Sequence, residues 1–148
     1  MNARTLAARS LALCGVLLLL AACGGEKRPG IVDLSGRENL SLYTLGSLRG
    51  VRDGDRLEAR AMFSDSSSSL VMEMKFAIGS PTTLESGSWR WARNNGLMSG
   101  AVSARSVTFL GGQSGPPSIG GTFELLGSDG VARYRVTIPV AELKAARR

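Results

Sequence analysis

LVMEMKFAI, residues 70–78, alternates apolar and polar side chains and carries the clearest secondary-structure signal of the chain. Val71, Glu73 and Lys75 occupy the intervening positions. The apolar positions are Leu70, Met72, Met74, Phe76 and Ile78. Successive side chains of a β-strand point to opposite faces, so this alternation predicts a strand with one face in a core.

The same period continues on both sides of this segment. Residues 56–63 place apolar side chains at the odd positions and charged ones at positions 56, 58 and 60. Further strands are predicted at residues 40–45, 86–91, 100–110, 122–126 and 131–138. Turn signals separate the strands at Asp53-Gly54, Asp65, Asn94-Asn95-Gly96 and Asp129-Gly130.

This pattern predicts a single all-β domain over residues 31–140. Seven or eight short strands with hairpin turns indicate a small antiparallel β-sandwich or a barrel, and we favour the sandwich. Residues 141–148, AELKAARR, are predicted to form a short basic helical tail.

The amino terminus has the pattern of a targeting segment. Residues 1–9 contain two arginines and no acidic residue, and an apolar run of twelve residues follows at 11–22. A helix needs about 20 apolar residues to span a bilayer, so this run is too short. A basic start, a short apolar stretch and a junction of small residues are typical of a secretory signal peptide. The structural alternative is a buried amino-terminal helix.

Leu20-Ala21-Ala22-Cys23 resembles the lipobox of bacterial lipoproteins. The resemblance implies cleavage between Ala22 and Cys23, so that residues 1–22 are a signal peptide and residues 23–30 a lipidated flexible tether. It also implies that Cys23 carries a thioether-linked diacylglycerol, usually with a third acyl chain such as palmitate, and so holds the protein on a lipid bilayer. Gly24, rather than Asp, follows the cysteine, which implies sorting to an outer membrane, most simply on its periplasmic side.

The net charge of +6 does not indicate nucleic-acid binding. The excess lies at the two ends of the chain, in the signal peptide, the tether and the tail. Residues 31–140 carry 11 basic and 10 acidic side chains, so no basic surface is expected on the fold.

The composition also excludes several chemistries. The chain has no histidine, which removes Ser-His-Asp and Cys-His catalysis and histidine-based zinc sites. Asp53, Asp55 and Glu58 lack the further alternating oxygen ligands of a calcium loop, and a hairpin turn is the alternative there. We expect no catalytic residue, no metal and no cofactor, and hence not an enzyme.

Two segments are candidate binding elements. Trp89 and Trp91 fall on one face of a predicted strand, where their indoles could form a platform for a sugar ring or peptide, with Arg90 or Arg93 meeting a carboxylate. The alternative is that both tryptophans fill the core. Residues 111–121, rich in Gly and Pro, form either a binding loop or a plain connection.

Together these observations predict a membrane-anchored envelope lipoprotein that is a non-catalytic accessory or structural partner of an envelope protein complex. The sheet edge or the Gly/Pro loop would make the contact. The alternative is a periplasmic binding module for peptidoglycan or another envelope glycan, which would use the two tryptophans.

Overall fold

A computed structural model describes residues 30–41, 43–111 and 115–146. The predicted signal peptide, Cys23 and all but the last residue of the tether lie outside these ranges. The described residues form nine strands and no helix: β1 (Gly30–Asp33), β2 (Thr44–Asp53), β3 (Arg56–Ser64), β4 (Ser69–Ala77), β5 (Thr83–Arg93), β6 (Gly96–Leu110), β7 (Ser118–Gly127), β8 (Arg133–Glu142) and β9 (Lys144–Ala145). The all-β prediction is confirmed. None of the described residues belongs to a helix that could cross a bilayer.

All nine strands belong to one sheet, in the order β1-β8-β7-β6-β5-β4-β3-β2-β9. From β2 to β8 each strand pairs antiparallel with the next one along the chain, so the connections are simple hairpins. The sheet curls into a half-barrel around its inward face. The predicted sandwich is therefore wrong, because a single curled sheet covers its own core and no second sheet is needed.

The predicted helical tail is also wrong over the part of it that is described. Residues 141 and 142 finish β8, and β9 pairs parallel with β2 through Arg49 and Gly50. Leu143, between the two strands, is 4% exposed, and its N–H donates to the carbonyl of Pro117 at 2.8 Å. An isolated helix of eight residues is marginal in water, and here the segment gains strand pairing with β2 and burial of Leu143 by staying extended.

The core consists of the inward-facing side chains of the curled sheet. The predicted inward positions that fall on β3 and β4 are all at most 4% exposed, which confirms the alternation in both strands; Ile78, predicted as inward, follows β4 and is half-buried. The largest fully buried side chains come from five strands: Trp89, Trp91, Phe63, Phe76, Phe123, Leu57, Leu70, Met72, Leu125 and Val136. Burial of such side chains contributes about 1.5–3 kcal/mol each and is the main term that stabilises the fold.

Glycines on the inward face let neighbouring strands approach closely. A Cβ atom on Gly100 of β6 would lie 1.8 Å from the carbonyl oxygen of Leu126 on β7. A Cβ on Gly87 of β5 would lie 2.8 Å from the Cβ of Val102. Neither position has room for a side chain, so both glycines are required by packing.

The turn between β3 and β4 depends on an ionised carboxylate. Asp65 accepts hydrogen bonds from the backbone N–H groups of Ser67 and Ser68 at 2.8 and 2.7 Å. The hydrogen bond from Ser67 is the largest cause that lowers the pKa of Asp65 below its usual value of 3.8. A carboxyl group whose pKa is lower in the folded state stabilises that state above its unfolded pKa, and this contribution is lost as the pH falls through the folded pKa.

We therefore expect the free energy of unfolding to decrease as the pH falls below about 4. In Asp65→Asn the decrease should be less steep, because the amide oxygen still accepts the two backbone hydrogen bonds but does not titrate. Urea unfolding midpoints at pH 7 and at pH 3 measure the difference. Equal losses in the two proteins would contradict the assignment to Asp65.

Candidate functional site

The two tryptophans lie in the core, which confirms the alternative interpretation of them. Trp89 is 1% exposed and Trp91 is 0% exposed. Their indole N–H groups are also used internally: Trp89 donates to the carbonyl of Leu126 and Trp91 to the hydroxyl of Tyr43, both at 3.1 Å. Neither ring presents a face to solvent, so the predicted platform for a sugar ring is wrong in its two central residues.

The indoles belong to a cluster of four aromatic rings that meet edge to face. Tyr134 lies 5.9 Å from Trp89 and 5.0 Å from Trp91, measured between ring centroids. Tyr43 lies 5.1 Å from Trp91 on another side, and its hydroxyl also contacts Ser68. Each such pair contributes about 0.5–1.5 kcal/mol beyond buried area, so the cluster is a stabilising centre. Burial raises the pKa of Tyr134, which keeps its hydroxyl neutral.

The two arginines of the predicted platform lie on opposite faces of β5. Arg93 follows the tryptophans on the inward face, where its guanidinium sits 4.9 Å from the Trp91 ring centroid and 2.8 Å from Glu38. The hydrogen bond that Arg93 donates to the Glu38 carboxylate raises the pKa of the arginine. Arg90 points outward, 3.8 Å from Glu73, and its side chain is 61% exposed. The structure therefore does not bring the four residues together.

Burial of both indoles has a spectroscopic consequence. We expect blue-shifted tryptophan emission from the folded protein and weak quenching by acrylamide, because a quencher cannot reach rings that are at most 1% exposed. Unfolding in guanidinium should shift the emission to the red and make it quenchable. Strong quenching of the folded protein would contradict the buried placement of Trp89 and Trp91.

The acidic segment between β2 and β3 forms the predicted hairpin turn. Asp53 pairs with Arg56, and Gly54 between them has a φ of +60°, a conformation that suits glycine. Among the residues that the structure describes, no three acidic or sulfur side chains converge as metal ligands. The turn interpretation of Asp53 and Asp55 is confirmed.

The Gly/Pro segment is a shorter connection than predicted. Leu110 at the end of β6 pairs with Ser118 at the start of β7, so the connection covers residues 111–117. Residues 118–121 belong to β7. Residues 112–114 lie outside the described ranges. The connection stands at the same end of the sheet as the β4–β5 loop.

β5 and β6 separate from each other partway along their length. Their pairing runs from Arg93 and Gly96 to Ser88 and Ala101 and then stops. Beyond that point, residues 102–110 pair with β7 alone and residues 83–87 pair with β4 alone. The space between them, which we call the β5–β6 cleft, has a volume of about 540 Å³ and is lined by residues 81–86 and 102–107.

Two β-bulges explain why the strands part. Glu85 is the extra residue where β5 shifts its register against β4, and Arg105 is the extra residue where β6 shifts against β7. A bulge bends its strand and increases the local twist. The two bulged residues lie on the facing walls of the cleft, so both strands bend in the region where they part.

A second depression crosses the outward face of β2 to β5. This outer groove has a volume of about 710 Å³ and is lined by three basic and two acidic side chains. Lys75 lies 2.8 Å from Glu58, whose hydrogen bond raises the pKa of the lysine. Glu73 lies 3.9 Å from Arg60.

The chain was compared with protein-family models, with curated proteins and with solved structures, and none of them matches it. The described part of the chain is an all-β half-barrel with a packed interior and a cleft between β5 and β6.

Proposed function

We propose that this chain is an envelope lipoprotein, anchored through acylated Cys23 on the periplasmic side of an outer membrane. There it acts without catalysis as an accessory or structural partner of a protein complex. The observation that favours a protein partner is the β5–β6 cleft, where two strands expose their edges to solvent. Exposed strand edges are templates for pairing with another chain.

The filled interior supports the same proposal. The inward face of the half-barrel is occupied by its own aromatic and aliphatic side chains, among them Trp89, Trp91 and Phe123. A glycan-binding module needs exposed aromatic faces, and both indoles are buried. The glycan alternative depended on these two indoles, and neither is available to a ligand. We therefore favour a partner that contacts the outer surface or a strand edge of the half-barrel.

The proposed anchor fits the start of the fold. β1 begins at Gly30, which pairs with Thr137 of β8. The seven residues 23–29 that precede it span at most about 25 Å when fully extended. An acylated Cys23 would thus keep the domain close to the membrane surface, where two or more acyl chains give stable attachment. Its partner would lie within the same short distance of that surface.

Crosslinking in intact cells tests this proposal. The tagged protein is crosslinked and purified beside a Cys23→Ser control, and the captured products are identified by mass. We expect one protein to be captured by the wild type and lost in the control, because the unanchored protein no longer meets its partner. Capture of peptidoglycan fragments alone, or of nothing, would contradict the accessory function.

A further inference from the structure

We propose that the β5–β6 cleft binds an extended segment of a partner protein, which adds as a strand along the open edge of β6. This inference rests on the proposed function in one respect, that the partner is a protein. The position of the site and the chemistry of the bound segment come from the structure.

The backbone of β6 supplies the first argument. In an antiparallel strand, alternate residues direct both their N–H and C=O groups toward the same neighbour. Residues 102–110 have β7 on one side and the cleft on the other, so every second residue directs its two groups into the cleft. Residues 103–106 are all exposed, as are Thr108 and Leu110. An incoming strand would satisfy these groups in the way that other peptide-binding sheets use an edge.

The incomplete cover of the core supplies the second argument. Inward-facing side chains of β3 and β4 are at most 4% exposed, whereas Leu84 and Val107, which line the cleft, are only half-buried. Both pack against the core cluster without being enclosed by it. An added strand with apolar side chains at alternate positions would cover them and extend the core.

The shape of the cleft selects a single extended segment. At one end of the cleft Gly87 lies directly against Val102, and the two walls along the rest of it are residues 81–86 and 102–107. The shorter wall, residues 83–87, spans about 17 Å at the rise of a strand. The edge of a second folded copy carries its own neighbouring strand and could reach only one wall. A free segment of five or six residues can lie between both walls.

The side chains on the walls indicate what that segment contains. Glu85 and Arg105 give the walls opposite charges, and Arg105 is already paired with Glu124 at 3.3 Å. Between them the exposed outward positions are small hydroxyl residues, Ser103 and Ser106. The cleft therefore fits alternating apolar and uncharged polar side chains, with no proline in the paired stretch, because proline lacks the N–H group.

A labelled peptide that contains Thr-Val-Thr-Val-Thr-Val-Thr, with a lysine at each end, is the direct probe. Two controls have the same sequence but carry methyl groups on the backbone nitrogens of either the valines or the threonines. We expect the parent peptide to bind. At least one methylated peptide should bind at least about tenfold more weakly, because methylation removes the N–H donors along one edge of the peptide strand. No binding, or equal binding of all three peptides, would overturn the proposal.

Two matched variants locate the binding. Val107→Lys puts a charge on the inward side of the cleft wall and is expected to weaken binding at least about tenfold. Thr108→Lys places the same charge on the outward face and is expected to change binding less than about threefold. If Val107→Lys does not fold, Leu84→Ser replaces it. Equal effects of the inward and outward variants would overturn the proposed site.

Hydrogen exchange supplies an independent readout on the unmodified protein. The peptide should slow exchange at residues 102–110 and leave the amides of β3 unchanged. Unchanged exchange along β6 at a saturating peptide concentration would overturn the inference. If the peptide does not bind but crosslinking in cells still captures a protein, the cleft is not the binding site and the accessory function is unaffected. If the peptide binds but no protein is captured, the cleft remains a peptide-binding site and the accessory function is contradicted.

Discussion

Replacement of Trp91 by alanine is expected to lower the free energy of unfolding by about 3–5 kcal/mol. The ring is 0% exposed and meets Tyr43 and Tyr134 at centroid distances of 5.1 and 5.0 Å. Its removal leaves a cavity at the centre of the aromatic cluster and takes the N–H donor away from the Tyr43 hydroxyl. Guanidinium unfolding of both proteins, followed by circular dichroism, measures the difference.

Arg90→Ala is the matched control on the adjacent, outward-facing position. Its side chain is 61% exposed and its ion pair with Glu73 is long, at 3.8 Å, so we expect a change within about 0.5 kcal/mol. Similar small losses in both variants would contradict the central placement of Trp91. The stability of Trp91→Ala also has to be known before its ligand binding is interpreted. A loss of binding in this variant would result from unfolding and would not be evidence that Trp91 contacts a glycan.

Gly100→Ala is expected to destabilise the protein by at least about 3 kcal/mol, although it adds one methyl group. The new Cβ would lie 1.8 Å from the carbonyl oxygen of Leu126 and 2.8 Å from Nε1 of Trp89. Both atoms belong to one hydrogen bond, so the methyl group must separate β6 from β7 or break that bond. Urea unfolding and the quenching of Trp89 emission measure the two effects.

Gly46→Ala is the control for this prediction. A Cβ at Gly46 would lie 3.6 Å from its nearest neighbours, which is ordinary van der Waals contact. Alanine also restricts the unfolded chain, so we expect a stability change between zero and a gain of about 1 kcal/mol. A negligible loss at Gly100 would contradict the close spacing described for β6 and β7, and a large loss at Gly46 would contradict the space described beside β3.

The sequence was most informative where a strand has one face in the core and the other in water. The predicted strand at residues 56–63 is one residue shorter than β3 at its end. The predicted strand at residues 70–78 is displaced by one residue from β4. In these strands the hydrophobic pattern and the pairing register agree, because every inward side chain is apolar. Their alternation was sufficient to identify both the elements and the buried faces.

β2 was largely missed for a physical reason. The predicted strand at residues 40–45 overlaps it only at its first two residues. A register shift between Leu45 and Ser47 inserts an extra residue, so the apolar positions Leu45 and Leu48 are three residues apart instead of two. A bulge of this kind removes the period on which strand prediction depends. β9 has only two residues and carries no period at all.

The curl of the sheet and the cleft depend on contacts that no local pattern encodes. Alternation shows which face is buried but not whether a second sheet or the same sheet covers it, so the sandwich was predicted in error. One sign of the cleft was nevertheless present in the sequence. The apolar positions of β6 move from even to odd numbers across Arg105, from Val102 to Val107 and Phe109, which is the signature of a bulge.

The parallel pairing of β9 with β2 also has a consequence for how the chain folds. The hairpins from β2 to β8 connect neighbours in sequence and can form early, since their loops are short. The pairing of Arg49 with Lys144 joins residues about 95 positions apart and carries a larger loop-closure entropy. It therefore forms late, and until then the edge of β2 is free to pair with other chains. The two-residue strand β9 thus shields only part of the β2 edge, and it does so only once the rest of the sheet has formed.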